Sequence, residues 1–348
     1  MSRRRASKLA LRLLIGVAIA GITLWLTYRK TDTAALAGAL AESDLVWLAA
    51  VLPFLAASYL LRILRWRVLL SPMGRVSSAT ASGPLLSGFM LNSVLPGRVG
   101  EVARALLLSR KTGIARASSM ATVVLARLFD GLTLTAFTLL VLLGFWSDVS
   151  PGVRLGLAGA GAMYLAVLGL LVALRIWHRS AAAVAAAPVR LLSHGLSRRL
   201  EGILVSFSDG LGVLRSGREV LIVSALSLGV WISLALSIVP ALLSLGMAVE
   251  PLYPLLILVL AAFGMLIPTP AGTGTVHYAL GVLLPAIAGI PDSRAKLLAI
   301  VFHASQFLPI IAAGLIAAAS EGLSAGEIGR YAEEPDGDGA GDSVDVRG

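Results

Sequence analysis

Cysteine is absent from this sequence of 348 residues. That excludes disulfides, thiolate metal sites and thiol nucleophiles. Histidine is nearly absent: His178, His194, His277 and His303 are the four present, with no H-x-x-x-H or H-E-x-x-H spacing. A metal site is therefore not expected. There is no G-x-S-x-G, no acid pair placed for acid–base work and no G-x-x-x-x-G-K-[ST] loop. These patterns assign no catalytic residue, imply no cofactor and encode no ATP site, so a non-enzyme is expected. Charge is scarce as well, at 14% of residues against 57% hydrophobic, with a mean hydropathy of +0.88. A soluble domain has no use for that much apolar surface. The predicted fold class is an all-α polytopic membrane protein.

The charge that is present is unevenly spread. The chain carries a net +10, yet after Ser320 stand eight acids and two arginines, a net of −6, which leaves +16 on the rest. In a membrane chain such an excess reflects topology and anionic headgroups, not nucleic acid. The Gly- and Asp-rich stretch 321–348 is expected to be a disordered acidic tail, and 1–320 a transmembrane domain.

Eight apolar segments follow one another. Leu9–Tyr28 is long enough to span and follows Arg3, Arg4, Arg5 and Lys8, with Arg12 inside its first turn. The apolar region is too long for a signal peptide and lacks a cleavage site close behind it. Residues 29–44 read as a short polar loop. Leu45–Ile63 is the second span, ending in R-I-L-R-W-R with Arg62, Arg65, Trp66 and Arg67. Interfacial anchoring is the favoured account of that cluster, and phosphate binding is the alternative. Residues 80–112 form a shorter, interrupted unit. Met120–Phe145 and Val153–Leu174 are full spans. The basic segment 175–218 fits an amphipathic helix on the inner leaflet or a simple connector. Val220–Leu245 spans again. Leu252–Ile267 and Tyr278–Ile290 are short arms around I-P-T-P-A-G-T-G-T, and Leu297–Ala319 is the last span. Six spans and two re-entrant hairpins result, arranged as halves 1–148 and 149–320 of opposite orientation, an inverted repeat. The N-terminus and tail are then cytoplasmic, in the cell membrane. On this topology 21 of 26 Lys and Arg outside the tail and Arg127 fall on the cytoplasmic side, as the positive-inside rule requires.

The stretch around which the chain is organised is Leu95–Leu108, L-P-G-R-V-G-E-V-A-R-A-L-L-L. Pro96, Gly97 and Gly100 interrupt helix, and Arg98, Glu101 and Arg104 then recur at i, i+3 and i+6. A short apolar segment, a break and charges on the returning helix point to a re-entrant hairpin lining a polar cavity. Pro268, Pro270, Gly272 and Gly274 break the second hairpin. Setting Pro96 against Pro270 pairs Gly100 with Gly274, Val102 with Val276 and Ala105 with Ala279, an echo of the internal repeats found in transporters. Arg127 and Asp130 stand i, i+3 inside a span, where each unpaired charge would cost on the order of 2.5–3.5 kcal/mol at a helix centre. They share a face and can pair. They either line a cavity for an anionic headgroup or join two helices. Glu101 is expected to hold Arg98 or Arg104, or to carry a proton. His277, His303 and Gln306 form a candidate pathway in the second half, with hydrogen bonds between helices the favoured account.

The motifs L-P-G-R-V-G-E-V-A-R-A, K-T-G-I-A-R-A and V-L-A-R-L-F-D-G, with I-P-T-P-A-G-T-G in the second half, resemble the lysylphosphatidylglycerol synthase transmembrane family, also called the flippase-like domain family. The likeness covers roughly residues 10–320. It implies a membrane domain that moves modified phospholipids between leaflets, joined in bifunctional members to a soluble aminoacyl-transferase. Only 28 residues follow Ser320 here, so lysylphosphatidylglycerol synthesis by this chain is not expected. Relatives often carry a glutamate shortly after the second Gly pair, where this chain reads T-V-H-Y. The implied function is a flippase or scramblase for an anionic or aminoacylated phospholipid or a polyprenyl-phosphate-linked lipid. The implied substrate-binding set is Arg98, Glu101, Arg104, Arg127 and Asp130. The alternative is a non-transporting membrane partner that scaffolds a glycosyl- or aminoacyl-transferase.

Overall fold

The computed structural model describes residues 3–95, 98–145, 211–267 and 269–322, with isolated helical positions between 155 and 205. Most of the predicted span over 153–174, most of 175–218, the acidic tail after Gly322 and the break residues Pro96, Gly97 and Pro268 lie outside the described residues. The described residues are helical, with no strand among them. They comprise α1 (Arg3–Tyr28), α2 (Thr33–Ala41), α3 (Leu45–Ala49), α4 (Val51–Leu70), α5 (Ser78–Val94), α6 (Val99–Thr112) and α7 (Arg116–Gly144). After the gap come α8 (Gly217–Ser244), α9 (Tyr253–Gly264), α10 (Thr275–Tyr278), α11 (Leu284–Ala288) and α12 (Asp292–Ser320). Five helical runs are long and apolar enough to cross a membrane: Leu45–Met73, Arg116–Gly144, Gly217–Ser244, Pro270–Ala288 and Asp292–Ser320. The protein is an all-α polytopic membrane protein. Large apolar side chains such as Leu60, Leu143, Leu221 and Ile316 are exposed on the outer helices. Such surface is costly in water and is at home in lipid.

Local chemistry sets the helix ends. The polar loop expected over 29–44 is in fact occupied by α2, because Asp32 accepts from the backbone N–H groups of Ala34 and Ala35. Asp44 does the same for Val46 and Trp47, and so starts α3. Ser77 caps α5 through the Thr80 N–H, and Ser216 caps α8 through Glu219. These caps satisfy donors that have no intrahelical partner.

Two helix–break–helix units stand out. In the first, α5 runs into α6 through Leu95–Arg98. Here Gly100 is not part of the break, as the sequence implied, but the second residue of α6. Its N–H donates to Asn92 Oδ1 at 2.8 Å. A Cβ at Gly100 would run into the Gly88 carbonyl oxygen, so the glycine is used for backbone contact between α5 and α6. In the second unit, α9 ends at Gly264 and helix resumes at Thr275. That is three residues earlier than the Tyr278 start read from sequence. A 3-10 turn at Pro270–Gly272 and a π-turn at Ala279–Leu283 extend it, so Pro270–Ala288 reaches spanning length. The turn remains interrupted, since Ala271 sits at φ 52.

Each unit has its own core. Trp66, Leu69, Leu85, Leu108 and Leu125 pack around the first. Ile238, Leu242, Ile257, Leu280 and Leu298 pack around the second. α4 lies along α8 and α12 along α5, which brings the two breaks together.

Candidate functional site

The two breaks open onto one cavity of about 250 Å³. Its charged wall is formed by Arg62 from α4, Arg98 and Glu101 from the start of α6, and Arg127 from α7, with Asn92 beside them. Its other wall is apolar. Met265, Leu266, Ile267 and Ala271 come from the second break, with Phe302, Phe307 and Ile310 from α12. Trp231 of α8, Gln306 of α12 and Phe89 of α5 are also among the lining residues. Arg98 is exposed and holds a left-handed conformation at φ 56; Ala271, across the cavity, does so at φ 52. These are the two non-glycine residues of positive φ among those described. Such backbone costs roughly 1–2 kcal/mol per residue, and both residues line the cavity.

Behind the charged wall lies a buried ion cluster. Asp130 is its hub. Arg65 donates to both carboxylate oxygens, at 2.6 and 3.2 Å, and to Ser227 Oγ at 2.9 Å. Trp231 Nε1–H donates to Asp130 Oδ1 at 3.0 Å. Arg62 and Arg127 stand 3.8 Å from Oδ2. Arg127 has its close partner in Glu101, at 2.7 Å. The i, i+3 pairing expected of Arg127 and Asp130 is thus a loose contact, and each has a tighter partner on another helix. Glu101 holds Arg127, not Arg98 or Arg104. The reason is geometric: Arg98 lies outside the helix that carries Glu101, and Arg104 turns its guanidinium inward between aromatic rings. It sits 5.5 Å from the Trp66 ring and 5.7 Å from Phe89.

The arginines at the end of α4 correct the sequence reading most. Arg62, Arg65 and Trp66 are 8%, 3% and 1% exposed, so they do not anchor the chain at a headgroup interface. A buried carboxylate draws Arg65 inward, and Trp66 donates from Nε1 to Thr122 Oγ1 at 2.9 Å. Arg67 alone keeps to the surface, bonded to Val76 O and Ser78 Oγ. Arg65 and Trp231 are members of the site that periodicity did not mark. Arg65 stood in the sequence within a basic cluster at the end of an apolar run, but nothing local there pointed to the distant Asp130.

The second-half polar residues divide. Gln306 lines the cavity and donates to Ser237 Oγ at 3.0 Å. His303 Nε2 is 3.2 Å from Ala271 O, and its ring is 4.7 Å from that of His277. His277 Nδ1 accepts from the Gly274 N–H at 3.4 Å. Neither histidine lines the cavity, but both brace the break that does. Among the described residues no group of three or more metal-ligating side chains occurs.

Comparison with known proteins gives the family context. The model of the "Lysylphosphatidylglycerol synthase TM region" matches residues 13–314. The glycosyltransferase AglD of Haloferax volcanii is 24% identical over 345 residues, covering 90% of this chain and 54% of that protein. The chain therefore spans about half the length of that relative. The UPF0104 membrane protein MJ1078 of Methanocaldococcus jannaschii is 25% identical over 228 residues, covering 65% of this chain and 92% of that protein. No solved structure matches the chain.

Proposed function

The chain belongs to the lysylphosphatidylglycerol synthase transmembrane family, and from that premise we propose that it moves a lipid between membrane leaflets without an energy source of its own. One observation carries the reading. Two interrupted helix pairs face each other across a cavity with a charged wall on one side and an apolar wall on the other. A headgroup phosphate would meet Arg62, Arg98 and Arg127 there. Glu101 holds Arg127 in position, and Asp130 and Arg104 set the field from behind. The lipid's tails would remain in the bilayer. The second arm of the second unit, Pro270–Ala288, reaches spanning length, but the first arm is too short to cross, which favours re-entrance there. α9 has 12 residues, about 18 Å at 1.5 Å per residue, against roughly 30 Å of hydrocarbon. Rocking of halves 1–148 and 149–320 would open the cavity to each side in turn. No covalent step is assigned to any residue. Movement is downhill, ion-coupled or driven by a partner, in a cell membrane with both termini cytoplasmic.

Lipid translocation in proteoliposomes tests this. Phosphatidylglycerol, lysylphosphatidylglycerol and a short polyprenyl-phosphate lipid are compared for wild type and Arg127→Ala. Movement of one lipid, reduced about tenfold or more in the variant, as loss of a charge-assisted contact requires, is the expected result. No movement of any lipid by well-folded protein would overturn it.

A second reading follows from AglD, which is named a glycosyltransferase and is nearly twice as long. This chain would then dock a separate transferase through its tail. Deletion of 325–348 should leave transport intact under the first reading and release the partner under the second.

A further inference from the structure

We infer that the ion cluster behind the cavity is a subsite for a dianionic phosphate, a phosphomonoester or diphosphate end rather than a phosphodiester. The inference rests on the lipid-transport reading for its ligand source, not for its chemistry. Four arginines, Arg62, Arg65, Arg104 and Arg127, share the cluster with two carboxylates, Glu101 and Asp130. Ionised, these groups leave two positive charges without counter-charge.

The surplus is located. Arg65 and Arg127 have their carboxylates at 2.6 and 2.7 Å. Arg104 is 5% exposed, has no carboxylate within 4 Å among the described residues, and its Nε has no hydrogen-bond partner. Arg62, 8% exposed, makes no hydrogen bond among the described residues and stands 3.8 Å from an oxygen that Arg65 already engages. Both guanidiniums lie against the Phe89 ring, at 5.1 and 5.7 Å. Buried guanidiniums with idle donors are costly in a folded protein, and an anion that accepts from them removes that cost.

The shape fits. A void of about 10 Å³ lies among Arg62, Arg104, Arg127 and Phe89, and Arg62, Arg127 and Phe89 also line the large cavity. The two spaces are neighbours that share those residues as lining. The small void has room for a phosphate oxygen and not a whole phosphate. The ester oxygen and its substituent would therefore stay in the cavity while one terminal oxygen reaches toward Arg104. A diester can also place one non-bridging oxygen there, but it carries one charge where two are unmatched, so the charge surplus is what selects the dianion.

Ligand-induced thermal stabilisation of the purified protein at about pH 8, where a phosphomonoester carries close to two charges, tests this without requiring transport. Dioctanoyl phosphatidic acid, dioctanoyl phosphatidylglycerol and inorganic phosphate are compared on wild type, Arg104→Met, Arg62→Gln and, as a control outside the cluster, Arg67→Gln. The monoester should bind wild type and Arg67→Gln about tenfold or more tightly than the diester, with that preference lost in Arg104→Met and Arg62→Gln. Unliganded Arg104→Met should melt no lower than wild type, because it removes an uncompensated buried charge. Equal binding of monoester and diester, or full preference in Arg104→Met, would overturn the subsite and leave the transport reading standing. Binding of inorganic phosphate but of neither lipid would support the subsite and count against the transport reading. No binding of any of the three would overturn the subsite.

Discussion

At the scale of single residues, Asp130 is the group on which the site depends. Its two oxygens accept from Arg65 and Trp231, and Arg62 and Arg127 lean on the same charge. Asp130→Ala would leave three unmatched positive charges where there are two. Breaking a buried pair from one side costs about 3–5 kcal/mol, so reversible unfolding in mixed micelles should show a loss of that order. Adding Arg65→Met restores the surplus to two and replaces the ion by an apolar stem. The double variant should therefore be more stable than Asp130→Ala alone, a sign of coupling that independent sites would not give. The sequence marked Asp130 and Arg127 because a charge inside an apolar helix needs a reason. It did not mark Arg65, because an arginine near the end of a span has the composition of a headgroup anchor. Its partner lies 65 residues away, and no local pattern carries that information.

At the scale of elements, the first break works because two helices touch through backbone. Gly88 and Gly100 face each other, and Asn92 Oδ1 receives the Gly100 N–H across the gap. A methyl group at position 100 would meet the Gly88 carbonyl and stand 2.8 Å from that same Asn92 oxygen. Gly100→Ala should therefore push α6 away from α5, breaking the Asn92 bond and costing about 1–3 kcal/mol as other overpacked contacts do. It should also slow lipid movement, because Glu101 follows directly and holds Arg127. Gly38→Ala in α2 is the contrast. Nothing lies within 4 Å of that position, and the exchange should raise stability by about 0.5–1 kcal/mol. Pro and Gly in an apolar run made both interruptions visible in the sequence. Their exact extent was not, because backbone packing, such as that of Gly264 against Val276, decides where helix resumes. The helix over 33–41 was missed for a different reason. Its residues are short and apolar, and Asp32 and Asp44, which cap it and its successor, read equally well as loop residues.

At the scale of the whole molecule, the question is on which side of the membrane each interrupted unit begins and ends. A unit that enters and leaves by the same face must show both of its ends there. A unit that crosses must show them on opposite faces. The proposed inverted halves make a sharper demand: the first unit opens to the cytoplasm and the second to the outside, with their breaks meeting midway. The absence of native cysteine lets single cysteines report this directly. Arg75 and Ala115 flank α5 and α6, and Glu250 and Ser293 flank the second unit; all four are exposed. Substitutions at exposed positions away from special features usually shift stability by less than about 0.5 kcal/mol, so the fold should survive each one. With a membrane-impermeant maleimide, Arg75→Cys and Ala115→Cys should label only from the cytoplasmic face, and Glu250→Cys and Ser293→Cys only from the outer face. Opposite-face labelling within either pair would mean that this unit crosses. The cavity would then be enclosed by full spans, and the basic residues from Arg98 to Arg116 would divide between the two sides of the membrane against the positive-inside bias. Same-face labelling within each pair, on opposite faces for the two units, would exclude a single crossing by either unit and is what two hairpins reaching in from opposite sides require, the arrangement that alternating access demands of inverted halves.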